Sequence, residues 1–166
     1  MATQAQVIGR VGLGHDVHRL VPGHRLVLAG VAVPADMGFE THSDGDVVSH
    51  ALIDALAGAV ADGDLGTHFP EDDPETAEAR SIDFLREFAG HVRRAGFEVG
   101  NVDVFLVLGT IRLRPHIERM RANLAEALAV EMGAVSVKAR SNDGLGPEGE
   151  GRACGAWANV LLYPTP

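Results

Sequence analysis

Cysteine is nearly absent: Cys154 stands alone among 166 residues. A single thiol excludes a disulfide framework within the chain and a zinc site built on cysteines. Positive charge is also scarce. The 14 Lys and Arg face 23 Asp and Glu, a net charge of −9, which argues against nucleic acid or an anionic membrane as a bulk partner. A negatively charged ligand would need a local cation to offset that field. No apolar run is long enough to cross a bilayer, and residues 1–7 lack both the basic and the apolar regions of a signal peptide. Repeats, linkers and low-complexity segments are missing too. The expectation is one cytoplasmic domain over residues 1–166, with 1–6 as a loose leader.

Hydrophobic content of 46% and charged content of 22% are those of an ordinary globular chain. Its most informative stretch, residues 41–64, opens with polar turn residues and runs into an Ala/Leu/Val helix. Val48, Leu52, Ala55 and Ala59 share one apolar stripe, while Asp46, His50 and Asp54 share another. At about 100° per residue, His50 lies roughly 200° around from Leu52 and points off the apolar face. Upstream, residues 14–18 (GHDVH) read as strand, which projects Asp16 and His18 from one face.

Asp16, His18 and His50 together make a three-ligand metal set with one position open, the arrangement of a catalytic zinc site. Taken singly, each also reads as a hydrogen-bonding turn residue or a satisfied core histidine. Asp46 and Asp54, one turn either side of His50, could hold its tautomer or serve as a cap and a solvated face. Residues 42–46 (HSDGD) offer an imidazole, a hydroxyl and helix N-terminal amides to a phosphate, with capping by Ser43 or Asp44 as the alternative. Lys138, Arg140 and Arg112 are the cations best placed to help, or are surface charges. The glycine-rich 143–151 lacks a Walker-type ending and reads as an ordinary connection. Cys154 and Trp157 fit core or interface.

Strands are expected at 7–20, 97–108, 135–139 and 153–163, with 25–34 as strand pairs or a hairpin arm. Helices are expected at about 47–62, 79–95 and from Pro115 onward, and 65–74 and 109–114 as loops. The fold class is α+β: a single mixed β-sheet with three helices packed on one face.

Residues 14–20 (GHDVHRL), 42–46, 63–66 (GDLG), Phe69-Pro70 with Asp73-Pro74, 100–103 (GNVD) and 115–117 (PHI) resemble the 2-C-methyl-D-erythritol 2,4-cyclodiphosphate synthase family, in order and over nearly the whole chain. The resemblance implies a homotrimer with active sites between subunits, acting on a nucleotide diphosphate in the non-mevalonate isoprenoid pathway. It implies one zinc per subunit on Asp16, His18 and His50, and a second divalent cation, Mg2+ or Mn2+, arriving with the substrate. His42 and Ser43 would hold phosphate, Asp64 and Gly66 the ribose, and Phe69 and Asp73 the erythritol part. The neighbouring subunit's copy of the segment containing Leu108, Thr110, Arg112 and Arg114 would frame the cytosine. His42 and Ser141 would be catalytic, with Arg140 and Asp143 beside them.

The chain departs from the family in three places. Residues 140–143 read Arg-Ser-Asn-Asp where a threonine run and a glutamate are usual, and the following loop is shortened to Pro147-Glu148-Gly149-Glu150. Thr110-Ile111-Arg112 replaces Ala-Pro-Lys, which moves the lysine's role to Arg112. Two other readings stay open: a zinc-dependent phosphoesterase, and a non-catalytic trimeric module stabilised by metal, with His15 or His24 as a fourth ligand.

Overall fold

The computed structural model describes residues 9–41, 43–70 and 79–165. The expected leader lies outside them, as do His42 and Asp73. In chain order the elements are β1 (Arg10–Pro22), β2 (Leu26–Leu28), β3 (Val31–Val33), β4 (Met37–Phe39), α1 (Val47–Val60), α2 (Leu65–His68), α3 (Ser81–Arg94), β5 (Phe97–Val107), α4 (Ile117–Leu128), β6 (Val135–Arg140), α5 (Gly146–Gly149) and β7 (Ala153–Pro164).

Alternation along β1 sets the layers. Gly12, Gly14, Asp16 and His18 share one face, and Val11, Leu13, His15 and Val17 share the other. The glycine face is covered by α1. A Cβ on Gly12 would come within 1.8 Å of the Ala55 carbonyl oxygen, and one on Gly14 within 1.9 Å of the Ala51 carbonyl oxygen. The two glycines therefore let helix backbone rest directly on strand backbone, which brings His50 down to the level of Asp16. The opposite face is bare: Val11, Leu13 and Val17 are 73%, 65% and 44% exposed.

The main sheet runs β4-β1-β7-β5-β6. Every neighbouring pair is antiparallel except β5 and β6, which are parallel and joined through α4. α3 packs against α1, and α4 against α3 and β6, with the expected apolar positions buried: Ile82, Leu85, Phe88, Ala89 and Val92 in α3 and Met120, Leu124 and Leu128 in α4. The result is the anticipated α+β architecture around a central mixed sheet. No described helix is long and apolar enough to cross a membrane.

Three details differ from expectation. First, α1 has no single buried stripe: it lies between the sheet and α3, and Val47 through Ile53 are all buried. Second, β2 and β3 form a separate two-stranded sheet, closed at Ala29 and Gly30 with φ of 50° and 69°, the conformation of a tight hairpin turn. Third, two stretches expected as loops contain helical turns. α2 starts where Asp64 accepts from Thr67 N (2.9 Å) and Asp54 accepts from Leu65 N (2.8 Å), and α5 starts at Gly146 with Pro147 in its first turn.

Asp46 ties the hairpin to α1. Its Oδ1 accepts from Ala29 N at 2.8 Å, Val48 N at 3.1 Å and Ser49 N at 3.3 Å, and its Oδ2 from Gly30 N and Ser49 Oγ, each at 2.8 Å. Complete burial and the nearby Asp44 push its pKa up, while these donors work the other way. The carboxylate is thus a cap and a clamp, not a partner of His50.

Candidate metal centre

The strand and helix positions converge as the motif required. Asp16 Oδ2 lies 2.9 Å from His50 Nδ1, and Asp16 Oδ1 lies 3.4 Å from His18 Nδ1. Each of the three residues offers a ligand atom within 4.8 Å of the others. A tetrahedral site with metal–ligand bonds near 2.0 Å has ligand–ligand edges of about 3.3 Å, between the two separations observed. His18 sits edge-on to His50 and Phe39, with ring centroids 5.3 and 5.7 Å away, which fixes its plane. His50 is buried, whereas Asp16 and His18 are half-buried, so the cluster is walled on the helix side and open on the other.

Electrostatics favours a cation here. Burial works against the Asp16 carboxylate, but the His50 hydrogen bond and the charges of His18 and His50 outweigh it and hold its pKa below the ordinary value. Burial likewise opposes charge on His50, yet the hydrogen bond and charge of Asp16, helped by Asp46 and Asp44, raise its pKa. The donor set, one carboxylate and two imidazoles, suits a divalent ion with a position left open. His15 cannot close it: His15 projects from the opposite face of β1 and lies tilted against the Trp157 ring, centroids 4.5 Å apart. His24 lies in the turn between β1 and β2, and the three-residue group is the one such cluster among the described residues.

Neither flanking aspartate side chain hydrogen-bonds His50; Asp46 takes the capping alternative. Asp54 bonds Leu65 N and so positions α2, not His50; burial raises its pKa. The residues that do hold His50 are Ser81 and Asp44. Ser81 Oγ is 2.9 Å from His50 Nε2, and its hydroxyl also bonds Asp44 Oδ1. A serine at a helix start reads as a cap, and nothing local in the sequence ties it to a histidine 31 positions earlier.

Other expected positions are spread around this centre. Ser43 Oγ accepts from Gly45 N at 3.1 Å in the turn before α1. Asp64 caps α2 and Gly66 lies within it, exposed; the Thr67 hydroxyl and amide hold the Asp64 pKa low. Phe69 stacks on Phe84 at 4.5 Å. Leu108 is buried, while Thr110, Arg112 and Arg114 are exposed on the loop after β5. Thr110, Ile111 and Arg112 face residues 34–37 and His116 across a cavity of about 450 Å³. Arg140, Ser141 and Asp143 lie at the end of β6, all exposed, with Ser141 Oγ accepting from Asp143 N at 3.3 Å. Lys138 is engaged elsewhere, 2.6 Å from Asp103 Oδ2. Cys154 is buried, and burial raises its thiol pKa far above the ordinary value.

Register places the β6 group at the same end of the sheet as the metal cluster but on a distant strand. His18 pairs with Cys154, the adjoining Gly155 with Val107, and Val107 with Arg140. β1 and β6 are therefore three strand intervals apart, about 14 Å at ~4.8 Å each. One chain does not bring Asp16 and Ser141 to a common substrate phosphate.

The YgbB family model matches residues 9–163. A 2-C-methyl-D-erythritol 2,4-cyclodiphosphate synthase from Cupriavidus necator is 51% identical over 154 residues, covering 93% of this chain and 91% of the relative. A solved 2C-methyl-D-erythritol-2,4-cyclodiphosphate synthase in its CDP-bound form matches with a TM-score of 0.86 and 34% identity, over 93% of this chain and 100% of that one. A CDP complex of IspF from Plasmodium falciparum matches with a TM-score of 0.84 and 28% identity, over 98% and 100%.

Proposed function

The chain belongs to the YgbB family, and from that premise we propose that it is a cytoplasmic enzyme, a phosphorus–oxygen lyase, that cyclises 4-diphosphocytidyl-2-C-methyl-D-erythritol 2-phosphate to 2-C-methyl-D-erythritol 2,4-cyclodiphosphate with release of CMP. The observation that carries the reading is the open Asp16/His18/His50 cluster within a chain that matches synthases over nearly its full length.

In this reaction the substrate's own 2-phosphate oxygen attacks the β-phosphorus. The bond from that phosphorus to the bridging oxygen breaks, and CMP departs with the oxygen. No protein nucleophile is required, so the protein's task is to position the groups and offset charge. Asp16, His18 and His50 would hold a zinc ion, which when bound supplies positive charge to a phosphoryl oxygen. A second divalent cation, Mg2+ or Mn2+, would accompany the diphosphate, with Asp143 as its protein contact. Ser43 and His42 orient phosphate, Asp64 and Gly66 the ribose, and Phe69 and Asp73 the erythritol chain. Leu108, Thr110, Arg112 and Arg114 frame the cytosine, and Arg140 and Ser141 face the reacting phosphate.

Two observations support a homotrimer with sites between subunits. The bare β1 face carries Val11, Leu13 and Val17, an apolar surface of the kind that oligomers bury. The three-strand gap between Asp16 and Ser141 is bridged if the metal cluster of one chain faces the β6 end of the next.

Phosphorus NMR of the wild-type protein incubated with this substrate and magnesium should show CMP and a cyclic diphosphate. Release of inorganic phosphate without ring closure would identify a phosphoesterase and overturn the reading.

A further inference from the structure

His50 reaches Asp16 with Nδ1 and Ser81 with Nε2, each at 2.9 Å. Which nitrogen carries the proton in the neutral ring is decided by the groups around it. The Ser81 hydroxyl has one hydrogen to give. Two acceptors compete for it: Asp44 Oδ1, at a closer distance, and His50 Nε2. A hydrogen bond to a carboxylate is roughly twice as strong as one between neutral groups, so the proton goes to Asp44. The backbone holds that geometry, because Ser81 N lies 3.2 Å from both Asp44 oxygens, at the first turn of α3. Ser81 Oγ is fully buried and has only a lone pair left to offer His50.

The structure assigns Ser81 and Asp44 a positioning role: together they hold His50 with its proton on Nε2, so that the Nδ1 lone pair faces the metal position beside Asp16. This inference rests on the metal reading above and extends it to two residues that would touch neither metal nor substrate. In the opposite tautomer Nδ1–H would point at Asp16 Oδ2 and form an ordinary hydrogen bond, leaving no lone pair for an ion. With the proton held on Nε2, two lone pairs meet across 2.9 Å, an arrangement that only a proton or a cation between them relieves. Ser81 lies on α3 and Asp44 in the turn before α1, so the tautomer is set by the way α3 docks against that turn.

The test uses the full-length protein loaded with zinc. Two-bond proton–nitrogen NMR of wild type should show the His50 proton on Nε2 and the metal on Nδ1; metal on Nε2 overturns the inference. Chelator competition should then show zinc bound about 10- to 100-fold more weakly in Ser81→Ala, the usual loss when a group supporting a ligand is removed. Ser81→Thr, which keeps the hydroxyl, should recover most of that loss, whereas Asp44→Asn should lose as Ser81→Ala does. Wild-type affinity in Ser81→Ala, or a threonine variant as weak as the alanine one, overturns the proposal. If wild type binds no zinc at all, the metal reading itself fails, a result distinct from either.

Discussion

Two clusters sit at the same end of one sheet and are built in opposite ways. Around Asp16, His18 and His50 the polar atoms are paired in a chain: Asp16 to His50, His50 to Ser81, Ser81 to Asp44. The backbone beneath is pinned by glycine contacts and by the fully bonded Asp46. The rim formed by residues 108–114 and 140–143 is loosely bonded, and Thr110, Arg112, Arg114 and 140–143 are exposed. Among the described residues Arg112 and Arg114 make no ion pair, and the Arg140 guanidinium bonds only the neighbouring Ala139 carbonyl, at 3.3 Å. Asn142 and Asp143 both adopt left-handed backbone, φ 54° and 49°, an unusual cost for two consecutive non-glycine residues. Preorganised donors hold an ion without outside help, whereas a rim of unpaired cations needs an anion or another chain to complete it. Changes in the first cluster should cost the metal; changes in the second should cost rate or assembly and leave the metal in place.

The largest expected effect separates them directly. His18→Ala or His50→Ala should strip zinc and abolish turnover, while circular dichroism stays that of a folded chain. Stoichiometric zinc retained by the double variant would remove the assignment. Leu13→Arg should break assembly instead, since it puts charge on the bare face of β1, 65% exposed in the single chain. Sedimentation should give monomers that bind zinc yet do not turn over. A fully active monomer would show that the rim and the metal cluster need no neighbour.

The difference also separates what could be read from the sequence. Periodicity places Asp16 and His18 on one face and takes His50 off the Leu52 stripe, so these three residues could be singled out from local spacing, and the structure brings them together. The α3 and α4 apolar faces were legible for the same reason. What escaped was identity of partners over distance. Asp46 was assignable to a cap, yet its bonds to Ala29 and Gly30 span 17 and 16 positions. Asp54 shares a stripe with His50, but Leu65 N captures its carboxylate. Ser81 serves His50 only because α3 docks where it does. A period of 3.6 says which side chains share a face and not what lies opposite, which is why α1 was expected to be amphipathic and is buried on nearly every side.

At the rim, an intermediate effect is expected. A donor aimed at the equatorial oxygens of a five-coordinate phosphorus acts mainly in the transition state. Ser141→Ala should lower kcat about 10²- to 10³-fold with little change in KM, and Ser141→Thr should be tolerated. Asp143→Asn should raise the magnesium concentration that gives half activity. Zinc content should be unchanged in all three. If Ser141→Ala keeps wild-type kcat, the hydroxyl is incidental and Arg140 becomes the better candidate.

The smallest effect is a pH dependence confined to the metal cluster. In the stripped protein the His50 pKa is raised above its ordinary 6.5 and the Asp16 pKa is lowered below its ordinary 3.8. The His50 contribution to stability is full below pH 6.5 and is lost as pH rises through the raised value. The Asp16 contribution is full above pH 3.8 and is lost as pH falls through the lowered one. The pair therefore supports the stripped fold most between those ordinary values. Zinc must displace the His50 proton, so each pH unit below the raised pKa weakens its binding about tenfold, or ~1.4 kcal/mol. At ~2–4 °C per kcal/mol for a chain of this size, the gap in Tm between zinc-loaded and stripped protein should widen by several degrees from about pH 6 to about pH 8. Ser141→Ala should show the same widening as wild type, because its hydroxyl lies three strands from the titrating pair. A gap that stays constant with pH would mean that no proton leaves His50 when the metal arrives.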